Sequence, residues 1–320
     1  MYVGQLGTPS EIKTARKTLV RSPDPWCALE RITHTDALSS LIVDQRRQIA
    51  QIVARESAET LVGRPAGLRV EVVRRLIGRA ADHVAGRFVS YDRALGEAGV
   101  RHGSAWIVGE ATGGLAVEGR GHVPEHGPLL VVANHPGVSD AVALLAALGR
   151  EDTWIVAASY PFLRALRLAS RRFLFVSEDR ADRLSVFRGI VTRLRAGETV
   201  VVFPAGGIEV DPDLSSVAAL ASLATWSRSI GLLARLADGT HVIPAAVRGV
   251  VSRAAFDHPL ARHRVILRDR QRVATLLQLA LPAYQGNRVS ISFGLPIAGW
   301  GPYDVQAAVI DSMHALINAA

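Results

Sequence analysis

From about Gly114 onward, short apolar runs alternate with stretches of helical periodicity. The apolar runs cover 129–133, 154–157, 173–176, 199–203, 242–247 and 289–293. The helical stretches cover 140–149, 162–171, 182–196, 214–237 and, at the end, about 303–318. Because strands that alternate with helices form layered domains, this order predicts an α/β fold with a mainly parallel central sheet flanked by helices.

The residues before this segment have a different character. Residues 1 to about 30 are polar and contain prolines, so we expect them to be poorly ordered or wrapped over the surface. Between about 36 and 99, apolar residues recur every three to four positions among arginines, which is helical spacing. We therefore predict a helical N-terminal extension over 1–111 and an α/β domain over 112–320. The amphipathic stretch either packs on the domain as a helical layer or docks on a membrane.

One predicted strand ends in residue types that suit a general-base site. In the segment VVANHPGVSD, residues 131–140, an apolar run ends at Asn134 and His135, a Pro-Gly turn follows, and Asp140 opens the next helix. A histidine at a strand end is accessible while its backbone stays fixed, and a nearby aspartate holds the imidazole in one tautomer. Alternatively, Ser139 or Asp140 only caps the helix and His135 fills the turn. The segment alone leaves both interpretations open.

Two further strand ends are distinctive. In VVVFPAGGIE, residues 200–209, an apolar strand runs into Pro204 and then into Gly206 and Gly207, whose lack of side chains lets a ligand approach the backbone N–H groups. An ordinary strand-to-turn connection is the alternative. The segment VIPAAV, residues 242–247, contains a proline that removes one ladder donor, which predicts a sheet edge or a bulge.

The order of these three segments resembles that of the glycerolipid acyltransferase superfamily, which includes glycerol-3-phosphate and lysophosphatidic acid acyltransferases. Asn-His-x-x-x-x-Asp follows one strand, Phe-Pro-x-Gly follows a later strand, and Val-Ile-Pro-x-x-Val comes next. The resemblance extends from about Gly119 to Ile297. It includes Ala-Gly at 196–197, Gly-Leu-Leu-Ala at 231–234 and Phe-Gly-Leu-Pro-Ile at 293–297.

The resemblance implies an enzyme that moves a fatty acyl group from acyl-CoA or acyl carrier protein to a hydroxyl or amine of a lipid-like acceptor. It implies that His135 removes the acceptor's proton and that Asp140 orients and stabilises the imidazolium. Backbone N–H groups around the paired glycines would stabilise the tetrahedral oxyanion. No metal or organic cofactor is expected. The residues expected to bind substrate are Asn134, Arg180, Phe203, Pro204, Gly206, Gly207 and Glu209.

Two motifs depart from the family's pattern. The common Phe-Pro-Glu-Gly-Thr-Arg segment here has Ala205, Gly207 and Ile208 in place of its Glu, Thr and Arg, which puts a glycerol-phosphate acceptor in doubt. The variant with Ala after Phe-Pro resembles the branch that acylates other acceptors, such as lyso-aminolipids. Glu209 is then either a partner for a cationic acceptor or a solvated residue. The Arg of the second motif is displaced by about three residues, to Arg180, where it either reaches a phosphate or is an exposed helix residue.

Charge and cysteine content bear on partners and compartment. The formal net charge of +8 favours anionic partners such as acidic lipid headgroups or the phosphates of coenzyme A. We find no zinc-finger, basic-zipper or RNA-recognition motif, so no nucleic-acid partner is expected. Cys27 is the sole cysteine, which excludes an internal disulfide and fits a reducing compartment. Without a strongly apolar stretch of about 18 residues or a signal peptide, we expect a cytoplasmic enzyme, peripheral on the inner face of an anionic membrane.

Two other functions remain open. With water in place of the acceptor, the same base would hydrolyse the thioester. A chain that kept the fold but lost acceptor chemistry would be a non-catalytic acyl-CoA- or lipid-binding module. The altered third motif favours the module, whereas intact Asn134, His135 and Asp140 favour an enzyme.

Overall fold

The computed structural model describes residues 25–62, 68–177, 179–301 and 304–319, with only the backbone for 25–39, Leu68 and Arg180. The chain forms two compact units, which meet in sequence between Asp44 and Gln45. Every contact described below lies within the second unit, Gln45–Ala320. Residues 1–24, the larger part of the stretch expected to be poorly ordered or wrapped over the surface, lie outside the described residues. The boundary at 111/112 stays a prediction.

The described N-terminal region is helical, as predicted. It contains α1 (Pro25–Val62), α2 (Leu68–Leu76) and α3 (Gly78–Ala111). Helix α3 bends at Gly99, whose φ of 86° lies in the left-handed region that favours glycine. Val100 and Val108 of α3 belong to the same apolar core as the central strands. Helix α3 therefore packs on the domain as a helical layer, mainly against α4 (Ser139–Leu148).

The rest of the second unit contains strands and helices in alternation. The strands are β1 (Leu115–Glu118), β2 (Leu129–Ala133), β3 (Thr153–Ala158), β4 (Phe173–Val176), β5 (Thr199–Val202), β6 (His241–Arg248), β7 (Val289–Phe293) and β8 (Ile297–Ala298). The helices are α4 (Ser139–Leu148), α5 (Pro161–Ala165), α6 (Arg180–Arg195), α7 (Ser216–Ser222), α8 (Ser229–Leu236), α9 (Arg253–Phe256), α10 (Pro259–Arg262), α11 (Leu267–Ala280) and α12 (Val305–Asn318).

The strands form one mixed, mostly parallel sheet in the order β1-β7-β6-β2-β5-β3-β4, with β8 also paired to β6. The pairs β2/β5, β2/β6, β3/β5, β3/β4 and β1/β7 are parallel, whereas β6 is antiparallel to both β7 and β8. The predicted fold class, an α/β domain with a mainly parallel sheet flanked by helices, is confirmed.

Strand β2 lies at the centre and is buried at all five positions. Because side chains alternate across a strand, Val131 joins the core on one face of the sheet and Val132 the core on the other. Helices α4 and α11 pack on the first face, and α8 and α12 on the second. The carboxyl end of β2 is consequently packed on both sides, so the residues that follow it start from a fixed position.

Two predicted helices are corrected by the structure. The stretch 162–171 is divided into α5 and a 3-10 turn at Ala169–Arg172. The stretch 214–237 is divided into α7, a 3-10 turn at Leu223–Thr225 and α8. Trp226 separates the last two in extended conformation, and its side chain is buried.

None of the described helices is by itself long and apolar enough for a membrane span. The pair Ser216–Thr225 and Ser229–Leu236 meets that test of length and composition only when its two halves, bent by 62°, are taken together.

Candidate active site

His135 lies two residues beyond the last residue of β2, at the carboxyl edge of the sheet. Its side chain is 26% exposed, so the ring is accessible although the adjoining strand is buried. Sites in open parallel sheets lie beyond the carboxyl ends of the strands, and His135 occupies such a position.

The carboxylate of Asp140 holds the His135 ring. His135 Nδ1 lies 2.7 Å from Asp140 Oδ2, and the aspartate side chain is fully buried. Since a carboxylate only accepts, Nδ1 carries the proton and Nε2 of the neutral ring keeps its lone pair. Oδ2 also accepts the N–H of Gly137 at 2.9 Å. The N-cap of α4 is Val138, and no side chain caps the helix there. The Asp140 carboxylate instead holds the turn 135–137, called the histidine loop below, through His135 and Gly137.

Four influences act on the pKa of His135. Burial lowers its pKa and is the largest single influence. The charge of Asp140, its hydrogen bond and the charge of Glu209 raise the pKa, and together they leave it above the ordinary 6.5. The ring is therefore a stronger base than a free histidine, because Asp140 and Glu209 stabilise its protonated form.

The Phe-Pro-Ala-Gly segment lies against the ring. Phe203 stacks on His135 with centroids 4.4 Å apart and ring planes 26° from parallel. The Phe203 carbonyl accepts the Gly206 N–H at 3.1 Å, which closes a turn, and Gly206 has a φ of 66°. Pro204 accepts the N–H of Ser227 at 3.0 Å. Gly207 is exposed, and its N–H has no hydrogen-bond partner among the described residues.

Glu209 does not face an acceptor, which corrects the expectation of a partner for a cationic substrate. It is 1% exposed, and its Oε1 accepts from Ser222 at 2.6 Å and from the indole of Trp226 at 2.9 Å. Its Oε2 accepts the backbone N–H of His135 at 2.9 Å, while its own N–H donates to the His135 carbonyl at 2.7 Å. Glu209 therefore fixes the backbone of the histidine.

Asn134 likewise has a structural role, which corrects its assignment as a substrate-binding residue. Its side chain is buried, donates to the Val247 carbonyl at 2.8 Å and accepts the Val247 N–H at 2.7 Å. These two bonds join the end of β2 to β6 directly before His135, and they engage both polar atoms of the buried side chain.

The side chain of Arg180 lies outside the described residues, and its assignment stays a prediction. Residue 180 itself begins α6 after β4.

The sequence did not identify two buried residues that support the site. Gln271 of α11 donates to the carbonyls of Pro136 and Glu209 at 2.6 and 2.7 Å, and its Oε1 accepts the N–H of Asp211 at 3.0 Å. Asp211 in turn accepts the N–H groups of Gly249 and Val251, both at 3.0 Å. These residues join the loops after β2, β5 and β6. No spacing rule distinguishes Gln271 in an arginine-rich helix, so only its contacts reveal it.

The fold and site define a class of protein: an α/β domain with a histidine–aspartate pair in general-base geometry at the carboxyl edge of its sheet. A family model described as Acyltransferase matches residues 114–248. This stretch contains β1 to β6 with the whole histidine loop. Residues 114–248 are thus similar to acyltransferase domains, and the match supports an enzyme that transfers acyl groups.

Two other comparisons were made. The chain matches no curated protein. Among solved structures, it is similar to the 1-acyl-sn-glycerophosphate (LPA) acyltransferase PlsC from Thermotoga maritima, with 15% sequence identity and a TM-score of 0.46. That alignment covers 75% of this chain and 82% of the other.

Proposed function

We propose that the enzyme transfers a fatty acyl group from acyl-CoA or acyl carrier protein to a hydroxyl or amine of a lipid-like acceptor, with His135 as general base. The observation that carries the proposal is the 2.7 Å contact between His135 Nδ1 and the buried Asp140 carboxylate on a ring that is still 26% exposed. A base must be both oriented and accessible, and the pair meets both conditions.

In the proposed reaction, Nε2 of His135 accepts the acceptor's proton as its oxygen or nitrogen attacks the thioester carbonyl carbon. The carbonyl π electrons move to oxygen and form a tetrahedral oxyanion, for which the free Gly207 N–H is the candidate donor. Collapse of the intermediate breaks the carbon–sulfur bond, and the thiolate takes the proton back from His135. No metal or organic cofactor enters this scheme.

The acceptor is proposed to be a lipid without a glycerol-phosphate headgroup, as in the Phe-Pro-Ala branch of the family. Ala205 and Ile208 stand where the family's common motif has an acid and an arginine. Because Glu209 is buried and fully paired, it does not replace that acid. A hydroxyl acceptor therefore agrees better with the site than one that depends on a carboxylate partner.

The compartment and membrane association are part of the same proposal. Net charge +8 favours the phosphates of coenzyme A, an acidic carrier protein and anionic lipid. We propose a cytoplasmic enzyme held peripherally on the inner face of the membrane, with no nucleic-acid partner.

The test follows free thiol released from palmitoyl-CoA with and without a lipid extract. A parallel assay uses palmitoyl-acyl carrier protein as the donor. Lipid-dependent release from either donor supports acyl transfer, lipid-independent release indicates a thioesterase, and no release from either donor indicates a non-catalytic binding module. We expect His135→Ala to lower turnover by about 10²–10⁴-fold with the fold retained. His126→Ala is the matched control, because His126 is exposed before β2 at the opposite end of the strand. Undiminished turnover in His135→Ala contradicts the assignment.

A further inference from the structure

The connection between α10 and α11 exposes apolar side chains close together. Leu260 is 54% exposed, Val265 96% and Ile266 64%. Single exposed apolar residues are common on protein surfaces and need no explanation. Here three fall within seven positions, and the β-branched pair at 265–266 lies in the non-helical connection just before α11. Residues 259–268 are called the apolar loop below.

The apolar loop is surrounded by positive charge. Residues 253–272 contain six arginines and two aspartates. Both aspartates are already paired, Asp257 with two arginines and Asp269 with one. Arg262 and Arg268, on either side of the exposed valine and isoleucine, are exposed and have no ion-pair partner among the residues the structure describes. The patch therefore combines an apolar tip with uncompensated cations.

The apolar loop is fixed in place and lies next to the active site. Arg264 donates to the carbonyls of Thr60 and Leu61 at 3.2 and 2.6 Å, which anchors the loop to the end of α1. Gln271 follows Ile266 by five residues, about 7.5 Å along a helix. Its amide reaches the carbonyl of Pro136, the neighbour of His135, at 2.6 Å. The exposed tip is thus connected to the residue after His135 through the first turns of α11 and one side-chain hydrogen bond.

We infer that the apolar loop inserts into an anionic lipid bilayer and brings the His135 site to the membrane surface; this rests on the proposed lipid acceptor. Apolar side chains enter the boundary between headgroups and acyl chains, while flanking arginines contact lipid phosphates. An acidic carrier protein would pair with Arg262 and Arg268 but gives no reason to expose Val265 almost completely. A bilayer accounts for both features.

The binding test is sedimentation with phosphatidylcholine vesicles prepared with and without phosphatidylglycerol. We expect the protein to bind the anionic vesicles and to lose affinity with added salt. Arg262→Gln with Arg268→Gln should weaken binding about thirtyfold, since each arginine near such a surface contributes about 1 kcal/mol, or about fivefold. The triple variant Leu260→Gln, Val265→Gln and Ile266→Gln should weaken it at least about tenfold.

The matched control is the triple variant Leu232→Gln, Leu295→Gln and Trp300→Gln. These residues are 52%, 69% and 57% exposed. Leu232 belongs to α8 on the other face of the sheet, and Trp300 packs on His241 at the amino end of β6. Circular dichroism and thermal melting verify that all the variants fold. Equal vesicle binding by the control and by both loop variants would overturn the inference. Binding of acyl carrier protein lost only in the arginine variant, with vesicle binding unchanged, would also overturn it and assign the patch to the carrier.

A second readout separates this inference from the proposed function. Loop variants should release thiol at the normal rate with a detergent-dispersed lipid extract and more slowly with the same lipids in vesicles. If the unaltered protein binds vesicles but releases no thiol, the proposed function fails while the docking surface stands.

Discussion

At the scale of single residues, the proposed mechanism requires His135 to be neutral so that it can accept a proton, whereas two carboxylates favour its charged form. Asp140 contacts the ring, and Glu209 contacts the backbone of the same residue. Their charges raise the pKa of His135 above 6.5 despite burial. A stronger base accepts the acceptor's proton more readily, but it is protonated and inactive over a wider acidic range.

This conflict predicts the pH profile of kcat/KM. Because activity requires the unprotonated ring, activity should be lost as the pH falls, with an inflection above 6.5. Asp140→Asn removes the adjacent charge and should move the inflection to lower pH. It should also lower kcat by about 10²–10⁴-fold, since the ring is no longer held in one tautomer. Asp238→Asn, on an exposed loop, is the control. An unmoved inflection in Asp140→Asn would show that another group is titrating.

At the scale of elements, the predictable parts were those with strong local patterns. Strands β2 and β4 lie where their apolar runs predicted, since a run of four or five β-branched and apolar residues between turns has few alternatives. The helix predicted over 214–237 was wrong in its middle. There the bonding of the Trp226 indole to buried Glu209 overrides local propensity. That contact joins residues 17 positions apart, and no local pattern contains it.

The proline of β6 illustrates the same limit. The sequence predicted a sheet edge or a bulge, but β6 is an interior strand next to β2. Pro244 is tolerated because it falls where the antiparallel neighbour changes from β8, paired at 241–242, to β7, paired at 245–248. Its carbonyl accepts Gly294 N–H from the connecting residues at 2.8 Å. The missing Pro244 N–H thus falls between the pairings of β6 with β8 and with β7. That position is set by residues some fifty positions later in the chain, so the local sequence does not reveal it.

The sequence predicted the contact between His135 and Asp140 but not the residues that hold the surrounding backbone in place. His135 and Asp140 are close in sequence, so a strand, turn and helix bring them together whatever the rest of the chain does. Asn134 and Glu209 are chemically plausible ligands in the sequence, and only their bonds to the backbone of Val247 and of His135 show that they hold the backbone instead.

The turn between β5 and α7 offers a test at this scale. Gly206 has a φ of 66°, whereas Gly207 does not have a positive φ, and a Cβ at either position would meet no atom within 4 Å. Gly206→Ala should therefore cost about 1–2 kcal/mol of stability through backbone strain alone. It should also lower kcat, because the turn positions Phe203 on the His135 ring. Gly207→Ala is the matched control and should change stability little. Urea unfolding measures both, and equal losses would contradict the strain argument.

At the scale of the whole molecule, buried polar bonds join the loops at the carboxyl edge into one framework. Asn134 connects β2 to β6, Gln271 connects α11 to the loops after β2 and β5, and Asp211 connects the latter to the loop after β6. The accessible histidine is thus held by groups that are not accessible. Such a site keeps its geometry at the cost of burying carboxylates, and that cost depends on pH.

Asp211 makes this dependence measurable. Burial raises its pKa from 3.8 to about 6, despite hydrogen bonds from Val251, Asp213 and Gly249 that lower it, and the charge of Asp213 adds to the rise. The folded state therefore binds the proton more tightly than the unfolded state, so this contribution to stability is present at low pH and is lost as the pH rises from about 4 to 6. The raised pKa of His135 has the same sign at higher pH. Stability should fall over the range in which activity rises.

The measurement compares the free energy of unfolding of the unaltered protein and of Asp211→Asn by urea denaturation between pH 4 and 8. Asn is expected to be less stable throughout, since its amide NH2 meets backbone N–H donors where the carboxylate accepted them. That deficit should shrink as the pH rises, by on the order of 3 kcal/mol for a shift of about two units, because only the unaltered protein loses the Asp211 contribution. His135→Gln in both backgrounds removes the histidine's part. A deficit that stays constant with pH would mean that Asp211 ionises as freely in the folded chain as in the unfolded one, and that the framework carries no pH-dependent cost.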